Sequence, residues 1–296
     1  MGISRRAALK TALVLGAAAA GARPAKAAVL AQAPADAVGL LYDTTLCIGC
    51  KTCMVACNEA NALPADTTLS PARLYHAPAD LNARAKTVIK LYADADGMTR
   101  SYLKAQCMHC VDPACATACM LGSLQKREFG IVTYDPDLCV GCRYCEVACP
   151  YNVPKFEWSS AAPKIVKCEL CKDRLAEGKQ PACAEVCPRG AVIYGKYTDL
   201  LAEAHQRLER NPDGYVPKVY GEKDLGGTQV LYLSNVEFEK LGFRFSGDKP
   251  VPELQQTVQH GVYKGFAAPV ALYALLGAVM FRNRRKGDQP EKEGEQ

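Results

Sequence analysis

No glycine-rich phosphate loop follows a strand in this 296-residue chain, and no hydrolytic triad signature is present. Nucleotide-driven and triad-based hydrolytic chemistry are therefore excluded at the level of motifs. Acidic residues are absent from the first 27 positions, which hold Arg5, Arg6, Lys10, Arg23 and Lys26. Those five charges account for the whole formal net charge of +5, so the rest of the chain carries none. A chain without net charge offers no electrostatic case for a nucleic-acid partner. Aromatic residues are few, at 7%, but hydrophobic residues reach 49% and charged ones 23%, a globular composition. The length suits about two domains of roughly 150 residues.

What the chain has in excess is cysteine: sixteen, in four groups. Cys47, Cys50, Cys53 and Cys57 follow C-x2-C-x2-C-x3-C, and Cys139, Cys142, Cys145 and Cys149 repeat it with Pro150 behind them. Cys107, Cys110, Cys115 and Cys119 form a stretched version, C-x2-C-x4-C-x3-C. Cys168, Cys171, Cys183 and Cys187 stretch it further, to C-x2-C-x11-C-x3-C, with Pro188 next. Three thiolates spaced this way can wrap one cubane while the fourth starts a short helix and reaches a neighbouring cluster. Sixteen thiolates then supply four [4Fe–4S] clusters with none left over. Structural zinc uses C-x2-C pairs without the C-x3-C step. Eight disulfides, the other reading of an even count, are staples that a chain this long does not need. A zinc- or disulfide-stabilised extracellular binding module is thus the competing class.

Both ends read as targeting elements. Residues 1–27 combine a positive segment, an apolar stretch and Ala25-Lys26-Ala27, the pattern of an export signal. Ser4-Arg5-Arg6-Ala7-Ala8-Leu9-Lys10 resembles the twin-arginine type, with Ala8 where that signal usually carries Phe. Residues 28–38 are an Ala/Pro linker. At the other end, Phe266–Phe281 is free of charge, and extending back to Val262 adds only Lys264. At a rise of about 1.5 Å per residue, sixteen residues fall short of a hydrocarbon core about 30 Å thick and twenty reach it. Arg282, Arg284, Arg285 and Lys286 follow, so a span over 261–281 would leave the tail 282–296 cytoplasmic and the cysteines outside.

Between these ends, residues 39–195 carry the cysteines and residues 196–260 form a C-terminal extension. Leu200, Leu201, Ala204 and Leu208 predict an amphipathic helix over 198–210, capped by Thr198 or Asp199 and stopped at Asn211-Pro212. Val230–Leu233 reads as a short strand. An internal repeat places Tyr42 five residues before Cys47 and Tyr134 five before Cys139, each behind a strand-like run. The expected fold is α+β: two ferredoxin-like units of two clusters each, loop-rich insertions, and one C-terminal transmembrane helix. His109, between two ligands, is not needed to complete the sulfur count. Trp158 and Tyr151 read as packing, and Lys51, Arg143, Lys167 and Lys172 as solvated surface charge or as cations beside ligands that raise cluster potentials or dock a partner.

The four-group order resembles the four-cluster iron–sulfur subunits of the dimethyl-sulfoxide-reductase type. More specific text flanks it: Leu41-Tyr42-Asp43, Gln106-Cys107-Met108-His109-Cys110, Gly141-Cys142-Arg143-Tyr144-Cys145, Tyr151-Asn152-Val153-Pro154-Lys155, Lys167-Cys168-Glu169-Leu170-Cys171, Tyr220-Gly221-Glu222-Lys223, Gly227-Thr228-Gln229-Val230-Leu231 and Tyr263-Lys264-Gly265. With the two targeting elements, this resembles the ferredoxin-like subunit of hydrogenase-2-type membrane-bound nickel–iron hydrogenases. The resemblance implies crossed wiring. Cluster one takes Cys47, Cys50, Cys53 and Cys187; cluster two takes Cys168, Cys171, Cys183 and Cys57. Cluster three takes Cys107, Cys110, Cys115 and Cys149; cluster four takes Cys139, Cys142, Cys145 and Cys119. It further implies a non-catalytic subunit, anchored at the periplasmic face of the inner membrane. Electrons would pass between the hydrogenase small and large subunits and an integral membrane subunit that reacts with quinone. A formate dehydrogenase or an oxyanion or sulfur-compound reductase is the alternative partner.

Overall fold

The computed structural model describes residues 33–64, 78–160, 163–243, 247–252 and 267–287. The expected export signal, most of the expected linker, positions 253–266 and the residues beyond 287 lie outside them. One compact unit spans Leu30–Pro252, and the helix at 267–287 belongs to a second. Each is described by itself.

The strand before the first cysteine group is β1 (Val38–Asp43), and every one of its six residues is buried. It is the middle strand of a three-stranded sheet, with β8 (Val192–Lys196) antiparallel on one side and β9 (Val230–Leu233) parallel on the other. Burial on both faces explains the continuous Val-Gly-Leu-Leu-Tyr run, where a half-exposed strand would alternate. Val38 and Gly39 pair with Lys196 and Gly195, so the sheet begins where the linker was expected to be ending. From the C-terminal extension, β9 is fully buried against β1, and Leu41, Leu231 and Leu233 meet Leu200 and Ala204 of the amphipathic helix.

That helix covers Tyr197–Arg210, close to expectation, and Asn211 ends it. Its start differs. The residue at the cap is Lys196, and neither Thr198 nor Asp199 caps it. β8 runs straight into the helix without a turn, which places both polar residues inside the first turn.

The two expected halves are nested in the chain. Helix α1 (Thr52–Ala60), carrying Cys53 and Cys57, packs against α5 (Ala182–Glu185) at the opposite end of the cysteine region. Between them in sequence, α2 (Ala114–Thr117) packs on α3 (Tyr144–Ala148), beside the hairpin β4 (Leu124–Lys126) and β5 (Val132–Tyr134). This inner half has its own core of Leu124, Val132, Tyr134, Phe156 and Ile165. β6 (Lys155–Phe156) and β7 (Ile165–Val166) close it, and α4 (Lys172–Ala176) leads back to the outer half, where the long helix 197–210 is α6.

A hairpin of β2 (Val88–Ala93) and β3 (Arg100–Ala105) covers the outer half. Asp96-Gly97 at its tip, with Gly97 at φ 68°, is the sequence signal that marks it.

In the second unit, α7 (Ala267–Gly287) runs six residues past the expected end of the span, because Arg and Lys are good helix formers. Among the described residues no helix is long and apolar enough to cross a membrane. The charge-free part of α7 ends at Phe281, and residues 261–266 of the expected span lie outside the described ones.

Candidate metal centre

The first and third cysteine loops have the same backbone. Gly49 and Gly141 sit at φ 69° and 71°, and Lys51 and Arg143 at φ 61° and 65°. Each left-handed residue reverses the chain within a Cys-x-x-Cys step and turns peptide N–H groups toward the sulfurs. Glycine is required at position 49 for a second reason: a Cβ there would lie 2.3 Å from the Tyr102 ring. The other loops reach similar turns through His109 at φ 48°, and Leu170 and Cys171 at 53° and 54°. Donors already point at sulfur. Gly49 N–H lies 3.4 Å from Cys47 Sγ, Leu170 N–H 3.4 Å from Cys168 Sγ, and Val153 N–H 3.5 Å from Cys149 Sγ.

All sixteen thiols are free. Tertiary packing gathers them into quartets that cross between groups. Cys47, Cys50, Cys53 and Cys187 line one cavity. Cys57, Cys168, Cys171 and Cys183 line a second. Cys139, Cys142, Cys145 and Cys119 line another, which is larger. The remaining four also converge: after burial, the groups acting most on Cys110 are Cys149, Cys107 and Cys115.

Following the chain order of the expected clusters, these quartets are sites one, two, four and three. They form a line. Cys53 of site one feels Cys183 of site two, Cys107 of site three feels Cys168 of site two, and Cys115 of site three feels Cys145 of site four.

Burial dominates the electrostatics. It pushes the thiols of Cys53, Cys107 and Cys171 up to about 11 and those of Cys115 and Cys145 up to about 12. The thiols of Cys57 and Cys110 are also raised, for the same reason. Four thiolates cannot be kept ionised in so dry a site without positive charge among them. A polynuclear iron group bound through thiolate supplies that charge. Among the described residues, no three Cys, His, Asp or Glu side chains close on one point as ligands of a single ion do. The quartets instead surround volumes, which suits a [4Fe–4S] core better than a lone zinc ion.

Other residues singled out in the sequence fall as follows. His109 is fully buried, and its Nδ1 accepts from Val132 N–H at 3.0 Å. Trp158, expected to pack, is 65% exposed, with the Arg143 guanidinium 3.8 Å above its ring. Tyr151 is largely buried and meets Phe243 edge-on at 6.4 Å. Lys51 rims site one and Arg143 site four. Lys172 pairs with Glu169 at 3.2 Å. Lys167 is 2% exposed and donates to the carbonyls of Val132 and Cys168 at 2.5 and 2.9 Å.

Sequence reasoning missed Lys104, which is fully buried and lines site two with Gln106 and Thr87. A lysine at the end of a strand carries no sign of burial in its own sequence.

The flanking text has structural work. Asp43, wholly buried, accepts from Arg207 at 3.1 Å and from the Tyr215 hydroxyl at 2.9 Å, tying β1 to α6. Gln229 Nε2 donates to the carbonyls of Val38 and Phe129, bridging the two halves. The N–H groups of Gln229 and Val230 donate to His109 and Met108, so the extension holds the loop of site three.

A family model described as the 4Fe-4S dicluster domain matches residues 98–197, which contain the second, third and fourth cysteine groups. A protein of Nitratidesulfovibrio vulgaris is 41% identical over 88% of this chain and 70% of its own length. The hydrogenase-2 operon protein HybA of Escherichia coli O157:H7 is 37% identical over 84% of this chain and 85% of its own. The formate dehydrogenase iron-sulfur subunit of Haemophilus influenzae is 33% identical over 82% and 78%.

Proposed function

The chain belongs to the family of 4Fe-4S electron-transfer subunits that includes these hydrogenase and formate dehydrogenase relatives, and from that premise we propose that it relays electrons through four clusters between a nickel–iron hydrogenase and a quinone-reactive membrane subunit. The observation that carries this reading is the unbroken line of four cysteine quartets. When bound, each cluster supplies one-electron chemistry, with potentials that across proteins span roughly −700 to +450 mV. The chain's own part is to hold the sites in sequence, keep water from the middle ones, and leave both ends approachable.

The ends suit that role. Cys50 of site one and Cys142 of site four are exposed, while most of the residues around site two are buried. Around site four stand exposed Met120, Leu121, Val140, Tyr144 and Val147, an apolar rim of the kind that docks a protein partner. No acid or base is needed, and the subunit is not the catalytic one.

Hydrogenase is favoured over formate dehydrogenase by the higher identity to the hydrogenase-2 operon protein. We place the cysteine domain at the periplasmic face after twin-arginine export, anchored by the C-terminal helix. The exposed apolar residues Val270, Leu272, Tyr273, Leu276 and Met280 of α7 support an anchor, since such a surface calls for lipid or protein cover.

Isolation of the membrane complex tests the whole reading. The expected result is co-purification with a nickel–iron large subunit and hydrogen-driven reduction of a quinone. Formate-driven reduction without hydrogen uptake would transfer the relay to the formate reading. A colourless chain lacking acid-labile sulfide would refute both.

A further inference from the structure

A buried ammonium without an anionic partner is costly, because the charge leaves water and gains nothing in return. Lys104 is in that position. It lies on β3 opposite Ile89, with no exposed surface, and the Tyr232 hydroxyl fixes its carbonyl at 2.6 Å. Its ammonium donates to Thr87 Oγ1 at 2.7 Å and to Gln106 Oε1. Both acceptors are neutral, and an ammonium has a third proton to place.

The side chain lines site two together with Cys57, Cys168, Cys171 and Cys183. Burial opposes the charge on Lys104, and the sulfurs of Cys183, Cys53, Cys168 and Cys57, as thiolates, are the groups that would favour it. Gln106 adds an orphan. With its oxygen committed to Lys104, its buried Nε2 has no partner among the described residues, and Gln106 lines the same cavity.

The other cations differ. Arg143 lies against an exposed ring at site four, where solvent weakens its field. Lys167 donates to two backbone carbonyls, and the sulfurs of Cys107 and Cys115, ahead of Glu169, are the charges that act on it most. Lys104 is the one of the three that lines site two, and its ammonium is bonded only to neutral side chains.

We propose that Lys104, aligned by Thr87 and Gln106, is a fixed cation balanced by the iron–sulfur group of site two, and that it raises that group's reduction potential. Reduction adds a negative charge, so a cation held in a dry site favours the reduced form. The inference rests on the reading of site two as a cluster site.

The test is an anaerobic redox titration of the membrane complex followed by EPR. The signal of site two is identified as the one lost in Cys57→Ser. In Lys104→Met, the reduced-to-oxidised ratio of that signal at fixed potential should fall at least tenfold, which is a midpoint at least 59 mV more negative. Gln106→Glu keeps the lysine but bonds it to a carboxylate and should shift the same signal in the same direction. Lys104→Arg keeps the charge and should change the ratio less than threefold. The signal of site four should stay within threefold throughout.

Three results would overturn the proposal: no shift in either Lys104→Met or Gln106→Glu, an equal shift in Lys104→Arg, or loss of iron in all three variants. Wild-type complex without clusters would instead defeat the underlying reading of the sites, so the two failures are distinguishable.

Discussion

Cys57 stands ten residues after Cys47 in one tight motif, yet its sulfur lies in a cavity with Cys168, Cys171 and Cys183. Replacing it by serine should therefore empty site two and spare site one. Four cysteines hold one four-iron core, so the full chain should bind about sixteen irons and Cys57→Ser about twelve. Double variants make the argument sharper. Cys57→Ser with Cys168→Ser removes two ligands of one site and should still leave about twelve irons. Cys57→Ser with Cys47→Ser touches two sites and should leave about eight. Iron and acid-labile sulfide are measured on anaerobically purified complex, with EPR of the reduced form to identify the missing signal. If the pair Cys47 and Cys57 behaved as one site, with about twelve irons in their double variant, the crossed arrangement would be wrong.

Three further outcomes follow from the same geometry. Ala at either Gly49 or Gly141 forces a left-handed backbone on a side chain, at about 1–2 kcal/mol. Only at Gly49 does the new Cβ meet a ring at 2.3 Å, against 3.2 Å to the nearest atom at Gly141. Gly49→Ala should therefore release iron faster on warming than Gly141→Ala; equal rates would remove the steric explanation. Iron-free chain should lose stability as pH rises. Free thiols ionise near 8.5, while burial holds those of Cys53 and Cys107 near 11 and of Cys115 and Cys145 near 12. The stabilisation is complete below about pH 8.5 and vanishes as pH passes the folded values. Amide exchange from pH 7 to 10 should show it, and iron-loaded chain, whose thiolates are already deprotonated, should lack the effect. Lastly, Val147→Asp, at a position 85% exposed beside site four, should weaken co-purification with the partner at unchanged iron content. Unaltered assembly would argue against that rim as the docking face.

The elements read correctly from sequence share a local cause. The amphipathic helix and the strand at Val230–Leu233 follow from side chains a few residues apart. The Val88–Ala105 hairpin is also local, marked by the turn at Asp96-Gly97. The remaining differences depend on partners distant in the chain. The cap of α6 was misplaced because β8 abuts the helix, a feature of the sheet and not of the helix sequence. Nothing in the sequence singles out Lys104, because burial is decided by what covers a strand.

By itself, then, the sequence determined the chemistry: sixteen thiols at ferredoxin spacings limit the ligand set, since loops of two and three residues have few ways to fold around a core. Spacing could not say where each fourth cysteine crosses. The packing of α1 on α5 and of α2 on α3 decides that, and with it the order of the sites. Tertiary structure alone also put an ammonium in the dark between sulfurs, because desolvation depends on the whole surrounding shell and not on any short stretch of chain.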